Sequence, residues 1–185
     1  MFETIINGIS LCFETAPGLF SPNEVDMGTR AMLECAEFSL EEKVLDLGCG
    51  YGPVGIFAAK LICEAQVTMC DLDPLAVALA KSNAELNSVP GVRVLESDGF
   101  RGIDDAEYTL ILSNPPYHAD FSVAKHFIEK GFNRLAIGGR MMMVTKRRDW
   151  YRNKLAAIFG GVRVREIDGY HVMTAEKRGP NYAKK

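Results

Sequence analysis

Asn114-Pro115-Pro116-Tyr117 is the stretch of this chain whose residue types most narrowly specify a chemistry. The lone pair of an aromatic amine or an amide nitrogen is delocalised. Such a nitrogen attacks an electrophile readily only when acceptors on its N–H groups return electron density to it. Two fixed acceptors are on offer here. The side-chain oxygen of Asn114 is one and the Pro115 carbonyl the other, and the consecutive prolines stiffen the turn that aims that carbonyl. Tyr117 adds a ring on which a planar acceptor can stack. Taken alone, the motif reads equally well as a strand-ending turn or a proline-rich ligand segment.

A second group of residues is suited to hold a ligand. Asp46-Leu47-Gly48-Cys49-Gly50-Tyr51-Gly52-Pro53 runs from an apolar strand through glycines into a helix start. Glycines allow close approach and positive φ, and the helix N-terminus presents free N–H groups. Two cofactors compete for this loop. Gly50, Gly52 and Gly55 satisfy the G-x-G-x-x-G pattern of a dinucleotide site, with Asp71 near the place of its ribose acid. Against that, the Asp46 carboxylate would repel a pyrophosphate and attract the α-ammonium of a methionine moiety, which favours a sulfonium methyl donor. Asp71 can accept hydrogen bonds from vicinal ribose hydroxyls. Ser97-Asp98-Gly99-Phe100 offers a carboxylate for an adenine amino group, a close-approach glycine and an aromatic face, although Asp-Gly is also an ordinary turn.

These residues need a scaffold that brings strand ends together. Apolar or β-branched runs at Lys43 to Leu47, Gln66 to Cys70, Val92 to Leu95, Tyr108 to Ser113 and Met141 to Thr145 alternate with helical patterns. That alternation predicts a mostly parallel sheet with helices on both faces. Pro53, and Asp73 with Pro74, punctuate two helix starts. The spacing predicts a helix over 119–135 ended by Gly138-Gly139, another from about Asp149 to Phe159, and closing strands at Val162 to Glu166 and Tyr170 to Ala175. Ahead of the sheet, Ile9 to Glu14 reads as a strand and Met27 to Ala36 as a helix.

Bulk properties narrow the class. The chain has 185 residues, 48% of them hydrophobic, with a mean hydropathy near zero, enough for one sizeable core. A net charge of -3 excludes a uniformly basic nucleic-acid coat but leaves room for a local basic patch. Cys12, Cys35, Cys49, Cys63 and Cys70 contain no C-x-x-C pair and read as reduced core thiols, with neither a disulfide framework nor a metal site. His126 and His171 have no visible metal partners, and His118 reads as a pocket wall. With no long apolar stretch and no leader pattern, a cytoplasmic protein without membrane contact is expected. Lys146-Arg147-Arg148, continued by Arg152 and Lys154, reads as a phosphate grip or equally as a solvated helix start. Trp150 and Tyr151 read either as base-stacking or as packing residues.

Together, the glycine loop, Asn114 to Tyr117, and Gly18-Leu19-Phe20-Ser21 with Asp26 and Gly28 resemble a class I S-adenosylmethionine-dependent methyltransferase of the small-domain group, similar to bacterial small-subunit ribosomal RNA guanine-N2 methyltransferases. The resemblance covers about Pro17 to Lys177. It implies an α/β, Rossmann-like, doubly wound fold: a mostly parallel seven-stranded sheet with an antiparallel closing strand and a small N-terminal extension. It divides the chain into one methyltransferase domain over 1–176, with the extension at 1–38 and the core at 39–176, and a basic, solvated tail at 177–185. S-adenosylmethionine, leaving as S-adenosylhomocysteine, is the implied donor, with no metal. Its expected contacts are Asp46, Gly48, Cys49, Gly50, Gly52, Asp71, Leu72, Asp98, Gly99, Phe100 and Asn114. Asn114, Pro115, Pro116 and Tyr117 would carry catalysis, while Phe20, Asp26, Lys146, Arg147 and Arg148 would contact the substrate. The implied partner is RNA, ribosomal in origin, and the implied state a monomer or weak homodimer. Protein glutamine methylation, DNA adenine methylation and a non-catalytic binding scaffold stand as alternatives.

Overall fold

Successive residues of a strand face opposite sides of its sheet, and in this chain both sides are apolar. Val44, Val67, Met69, Leu110, Leu112, Met142, Val144 and Val172 face one core. Leu45, Leu47, Cys70, Ile111, Met141, Met143 and Met173 face another. A sheet buried on both faces needs covering layers, which fits short parallel strands joined by helices. The computed structural model describes residues 1–116 and 121–183; Tyr117, His118 and the first two residues of the expected helix, Ala119 and Asp120, therefore lie outside the described residues.

The elements run β1 (Phe2–Ile6), β2 (Ile9–Phe13), α1 (Met27–Cys35), β3 (Val44–Leu47), α2 (Pro53–Ala59), β4 (Val67–Asp71), α3 (Pro74–Leu86), β5 (Arg93–Glu96), β6 (Tyr108–Ser113), α4 (Phe121–Arg134), β7 (Leu135–Thr145), α5 (Arg148–Phe159), β8 (Arg163–Ile167) and β9 (Tyr170–Glu176). Among the described residues the strands make two sheets, a β1-β2 hairpin and a seven-stranded sheet of order β5-β4-β3-β6-β7-β9-β8. The pairs from β5 through β7 are parallel, and β9 enters antiparallel between β7 and β8. This is the α/β fold expected from the sequence, with one antiparallel strand. The parallel order brings the ends of β3, β4, β5 and β6 to one edge, where a ligand crevice forms in such sheets. Ser113 Oγ donates to Leu47 O at 2.7 Å and ties the last residue of β6 to the last residue of β3.

Three local expectations fail, each for a visible reason. The Gly138-Gly139 pair does not end a helix: α4 stops at Arg134 and the chain enters β7 at once. The pair sits in an irregularity where pairing jumps from Tyr108–Leu135 to Leu110–Arg140. Gly138 has φ +87°, and a Cβ on Gly139 would lie 2.8 Å from Tyr108 O, so this bulge requires glycine at both places. The tail is solvated only in part: Arg178, Pro180, Asn181 and Tyr182 are exposed, but Lys177 and Ala183 are tied to the core. Lys177 is buried, its Nζ donates to Leu135 O at 2.6 Å, and Ala183 N donates to Ile158 O at 3.0 Å. Finally, the extension holds a strand not foreseen. β1 pairs with β2 through Asn7-Gly8, both with positive φ, the dipeptide that favours a tight hairpin.

Two asparagines, Asn83 on α3 and Asn87 at its C-cap, bind this hairpin to the main sheet's helix layer. The Asn83 amide donates to Glu14 O and to Tyr51 O, each at 2.9 Å, and accepts from Glu14 N at 2.7 Å. One turn on, Asn87 exchanges hydrogen bonds with Cys12 N and O at 3.0 and 2.7 Å. They stand in for a neighbouring strand along the β2 edge. Asn83 is fully buried, so Asn83→Ala, which orphans these backbone groups, is expected to lower stability by about 3 kcal/mol. Chemical unfolding measures this, and an unchanged midpoint would contradict the role given to the amide.

Candidate active site

β3 buries one acid among apolar neighbours. Its alternation puts Asp46 on the side of α2, with 1% of its surface exposed, and Gly55 N in the first turn of α2 donates to Asp46 Oδ2 at 2.8 Å. Burial pushes this carboxyl up to about 7; the Gly55 N–H opposes the shift and the nearby Asp71 charge adds to it. Beyond β3, Gly48, Gly50 and Gly52 all take positive φ, at +78°, +54° and +100°, so the loop coils in a form that L side chains resist. Asp71 at the end of β4 braces this coil: its Oδ2 accepts from Gly50 N at 2.8 Å and its Oδ1 from Asp73 N at 3.0 Å. Asp73 in turn caps α3 by accepting from Leu75 N at 2.9 Å. Asp71 thus has a loop-holding task that its place in the sequence did not disclose.

Asn114 follows β6 and meets the pre-sheet segment. Its Nδ2 donates to Asp26 Oδ2 at 3.0 Å and to Thr29 Oγ1 at 2.9 Å. The same Asp26 Oδ2 accepts from Thr29 N at 3.0 Å and caps α1. An ionised carboxylate only accepts, so the amide face towards Asp26 is the NH2 face. The Asn114 Oδ1 is left buried and without a hydrogen-bond partner among the described residues. Buried unpaired acceptors are uncommon and invite an explanation in function.

These groups surround one cavity of about 390 Å³, within the range of small-molecule sites. Asp46, Gly48, Cys49, Gly50, Asp71, Leu72, Asp98, Gly99, Asn114, Pro115 and Pro116 line it, as do Phe20 and Asp26. Gly52 is absent from the lining and acts one step back, as the residue before α2. Phe100 is also absent: it is buried in the core beneath α4, near the His126 ring, and offers no face to the cavity. The apolar wall comes instead from Val123 and Phe127, one turn apart on α4, which the sequence reading passed over. Thr29 and Tyr51 were also missed. Their signal was available, since Thr29 lies three residues after a capping Asp and Tyr51 interrupts the glycines. The Tyr51 hydroxyl reaches Ser21 O and Glu24 O at 3.2 and 3.1 Å, which fastens the pre-sheet loop over the site. The Tyr51 ring packs against Phe13 and Phe2 of the hairpin.

Lys146, Arg147 and Arg148 do not line the cavity. They leave the same sheet edge from β7, exposed, with Lys146 Nζ 4.5 Å from the Tyr170 ring centre and Arg147 over Phe121 at 5.1 Å. Phe121 stacks on Trp150 with ring centres 4.2 Å apart, so Trp150 is a packing residue against α4. Burial drives the Cys49 thiol well above its usual value and Cys70 to about 12, which keeps both protonated and unreactive at neutral pH. Among the described residues no helix is long and apolar enough to cross a membrane, and no cluster of three or more His, Cys, Asp or Glu stands ready for a metal.

The chain itself has known relatives. The uncharacterized protein YbxB of Bacillus subtilis is 33% identical over 171 residues, covering 89% of this chain and 85% of that protein. Ribosomal RNA small subunit methyltransferase C of Psychromonas ingrahamii is 31% identical over 163 residues, covering 86% of this chain and 46% of that enzyme. The solved structure of the Thermus thermophilus 16S rRNA N2 G1207 methyltransferase, in complex with AdoMet and guanosine, superposes with a TM-score of 0.86 at 29% identity over 96% of this chain and 50% of that one. This chain thus spans about half the length of those two methyltransferases. A family model described as the methyltransferase small domain matches residues 10–174, and with that match over nearly the whole sheet and site, this chain belongs to the methyltransferase small-domain family.

Proposed function

We propose that this protein is an S-adenosylmethionine-dependent N-methyltransferase that modifies the exocyclic amino group of a guanine in ribosomal RNA, with residues 1–176 working as one domain. The carrying observation is Asn114, whose amide nitrogen is held on both hydrogens while its oxygen has no partner among the described residues. The acid at the base of the cavity, the coiled glycine loop and two further carboxylates fit a donor with an ammonium group, a ribose and an amino-bearing ring. Asp46 would face the ammonium, Asp71 the ribose hydroxyls and Asp98 the adenine amino group. The donor supplies an electrophilic methyl group, whose bond to sulfur breaks as the bond to nitrogen forms, and it leaves as S-adenosylhomocysteine.

Everything else falls to the chain's own groups. Asn114 Oδ1 and the Pro115 carbonyl accept the two N–H hydrogens of the acceptor amine, which localises its lone pair towards the methyl carbon. One of those protons passes to water after transfer, so no strong base is required. Because Oδ1 is shielded from solvent, the entering base must part the wall beside it. Lys146, Arg147 and Arg148 stand outside the cavity on the same edge, where they would hold phosphates and position the strand without choosing the base. The likeness to enzymes named for ribosomal RNA methylation supports this substrate class.

Two outcomes test the proposal. Purified protein with labelled donor is expected to label ribosomal RNA, and Asn114→Ala to lose at least about 100-fold in rate with donor binding retained. Label in protein with none in RNA would contradict the substrate, and full activity of the variant would contradict the role of Asn114. The second concerns pH. The Asp46 carboxyl, at about 7 against a usual 3.8, must ionise to meet a cationic ligand. Binding then releases a proton at low pH, so donor affinity rises with pH below about 7 and levels off above it. Calorimetry across pH checks this, with Asp46→Asn expected to bind weakly and without the slope; an equal slope in that variant would assign it elsewhere.

A further inference from the structure

Asn114 can present either end of its amide to an acceptor nitrogen, and the two ends have opposite chemical effects. Oxygen accepts an N–H and enriches the nitrogen, whereas the NH2 end donates to the lone pair and ties it up. A side-chain amide on a loop turns over at little cost unless its neighbours distinguish the ends. Asp26 makes that distinction here, and Thr29, whose hydroxyl can pair with either end, adds a second anchor to the orientation Asp26 sets. A carboxylate only accepts, so oxygen facing Asp26 would set two acceptors against each other and forfeit the bond at 3.0 Å. Both neighbours sit on the first turn of α1, in a stretch the fold adds ahead of its parallel core. That turn is pressed close to the sheet: a Cβ on Gly28 would fall 2.7 Å from the Tyr170 ring and 2.9 Å from Asp26 Oδ2.

We propose that Asp26 and Thr29 are positioning residues for the transfer step: the N-terminal turn of α1 fixes which end of the Asn114 amide meets the acceptor amine. This rests on the reading of Asn114 as the acceptor-binding residue. The negative charge on Asp26 also polarises the amide through its N–H, which makes Oδ1 a better acceptor than an unaided asparagine. α1 is thereby part of the transfer machinery and not only a cover over the sheet, and Asp26 acts through Asn114 instead of touching substrate.

The experiment separates this role from a purely structural one. Asp26→Ser keeps a capping oxygen on α1 but is too short to reach Asn114, Thr29→Val keeps shape and loses the acceptor, and Thr29→Ser keeps the acceptor. Each of the first two is expected to lower kcat about tenfold and the double variant about 100-fold, with KM for RNA, donor affinity and Tm unchanged. Thr29→Ser is expected to stay near the parent. In nitrogen-labelled protein the Asn114 side-chain NH2 hydrogens exchange slowly in the parent and fast in the double variant. A double variant with parental kcat, while Asn114→Ala is inactive, overturns the positioning role and leaves the reading of Asn114 intact. An active Asn114→Ala overturns both. A fall in kcat matched by a fall in Tm and in donor affinity marks a structural role and also overturns the proposal.

Discussion

An amide held by both of its N–H bonds has only its oxygen left to give, and Asn114 is held in that way by two residues of a helix that lies far from it in sequence. For the contact to exist, the pre-sheet segment must return to the carboxyl edge of the sheet, β6 must end level with β3, and α1 must begin at Asp26. The Ser113–Leu47 bond supplies the second condition and the Asp26 cap the third. The first depends on the hairpin, whose phenylalanines support Tyr51, whose hydroxyl in turn fastens the loop before α1. Asn83 and Asn87 hold that hairpin. What reads at first as an appendage to a parallel sheet is a chain of contacts ending on the Asn114 amide nitrogen.

The site also shows how one fold assigns different tasks to acids of similar sequence context. Asp46 lies one residue inside the end of a parallel strand, Asp71 ends one and Asp98 follows one, yet their surroundings differ. Asp46 is buried with a single N–H for company and holds its proton up to about 7. Asp71 binds two backbone N–H groups and shapes the glycine coil. Asp98 stands exposed at the cavity rim. A ligand that spans them meets, in order, a buried group that must be deprotonated on contact, one committed to the loop, and one exposed at the rim.

The sheet, its helices and most of the cavity wall were legible because they are written in local rules. Strand runs and the Pro53 and Asp73-Pro74 starts placed four strand ends on one edge, and the ligand-facing residues sit immediately after those ends. What the sequence concealed depends on contacts between distant segments. Phe100 was assigned to the donor because it follows Asp98-Gly99, but the turn at Gly99, with φ +62°, sends it into the core and leaves Phe127 to form the wall. Gly138-Gly139 carries the signature of a helix stop as well as that of a bulge, and only strand pairing tells them apart. Lys177 resembled a tail lysine until its ammonium found the Leu135 carbonyl. Asp26 reads in the sequence as a substrate contact, since no local pattern announces that its partner is an asparagine 88 positions away.

The orientation of the Asn114 amide is the point on which this account turns. A crystal structure of the protein with S-adenosylhomocysteine and guanosine tests it directly. The account predicts the guanine exocyclic nitrogen at about 3 Å from Asn114 Oδ1, with Nδ2 still on Asp26 and Thr29. A base bound with Nδ2 towards it, or bound away from Asn114 altogether, would contradict it.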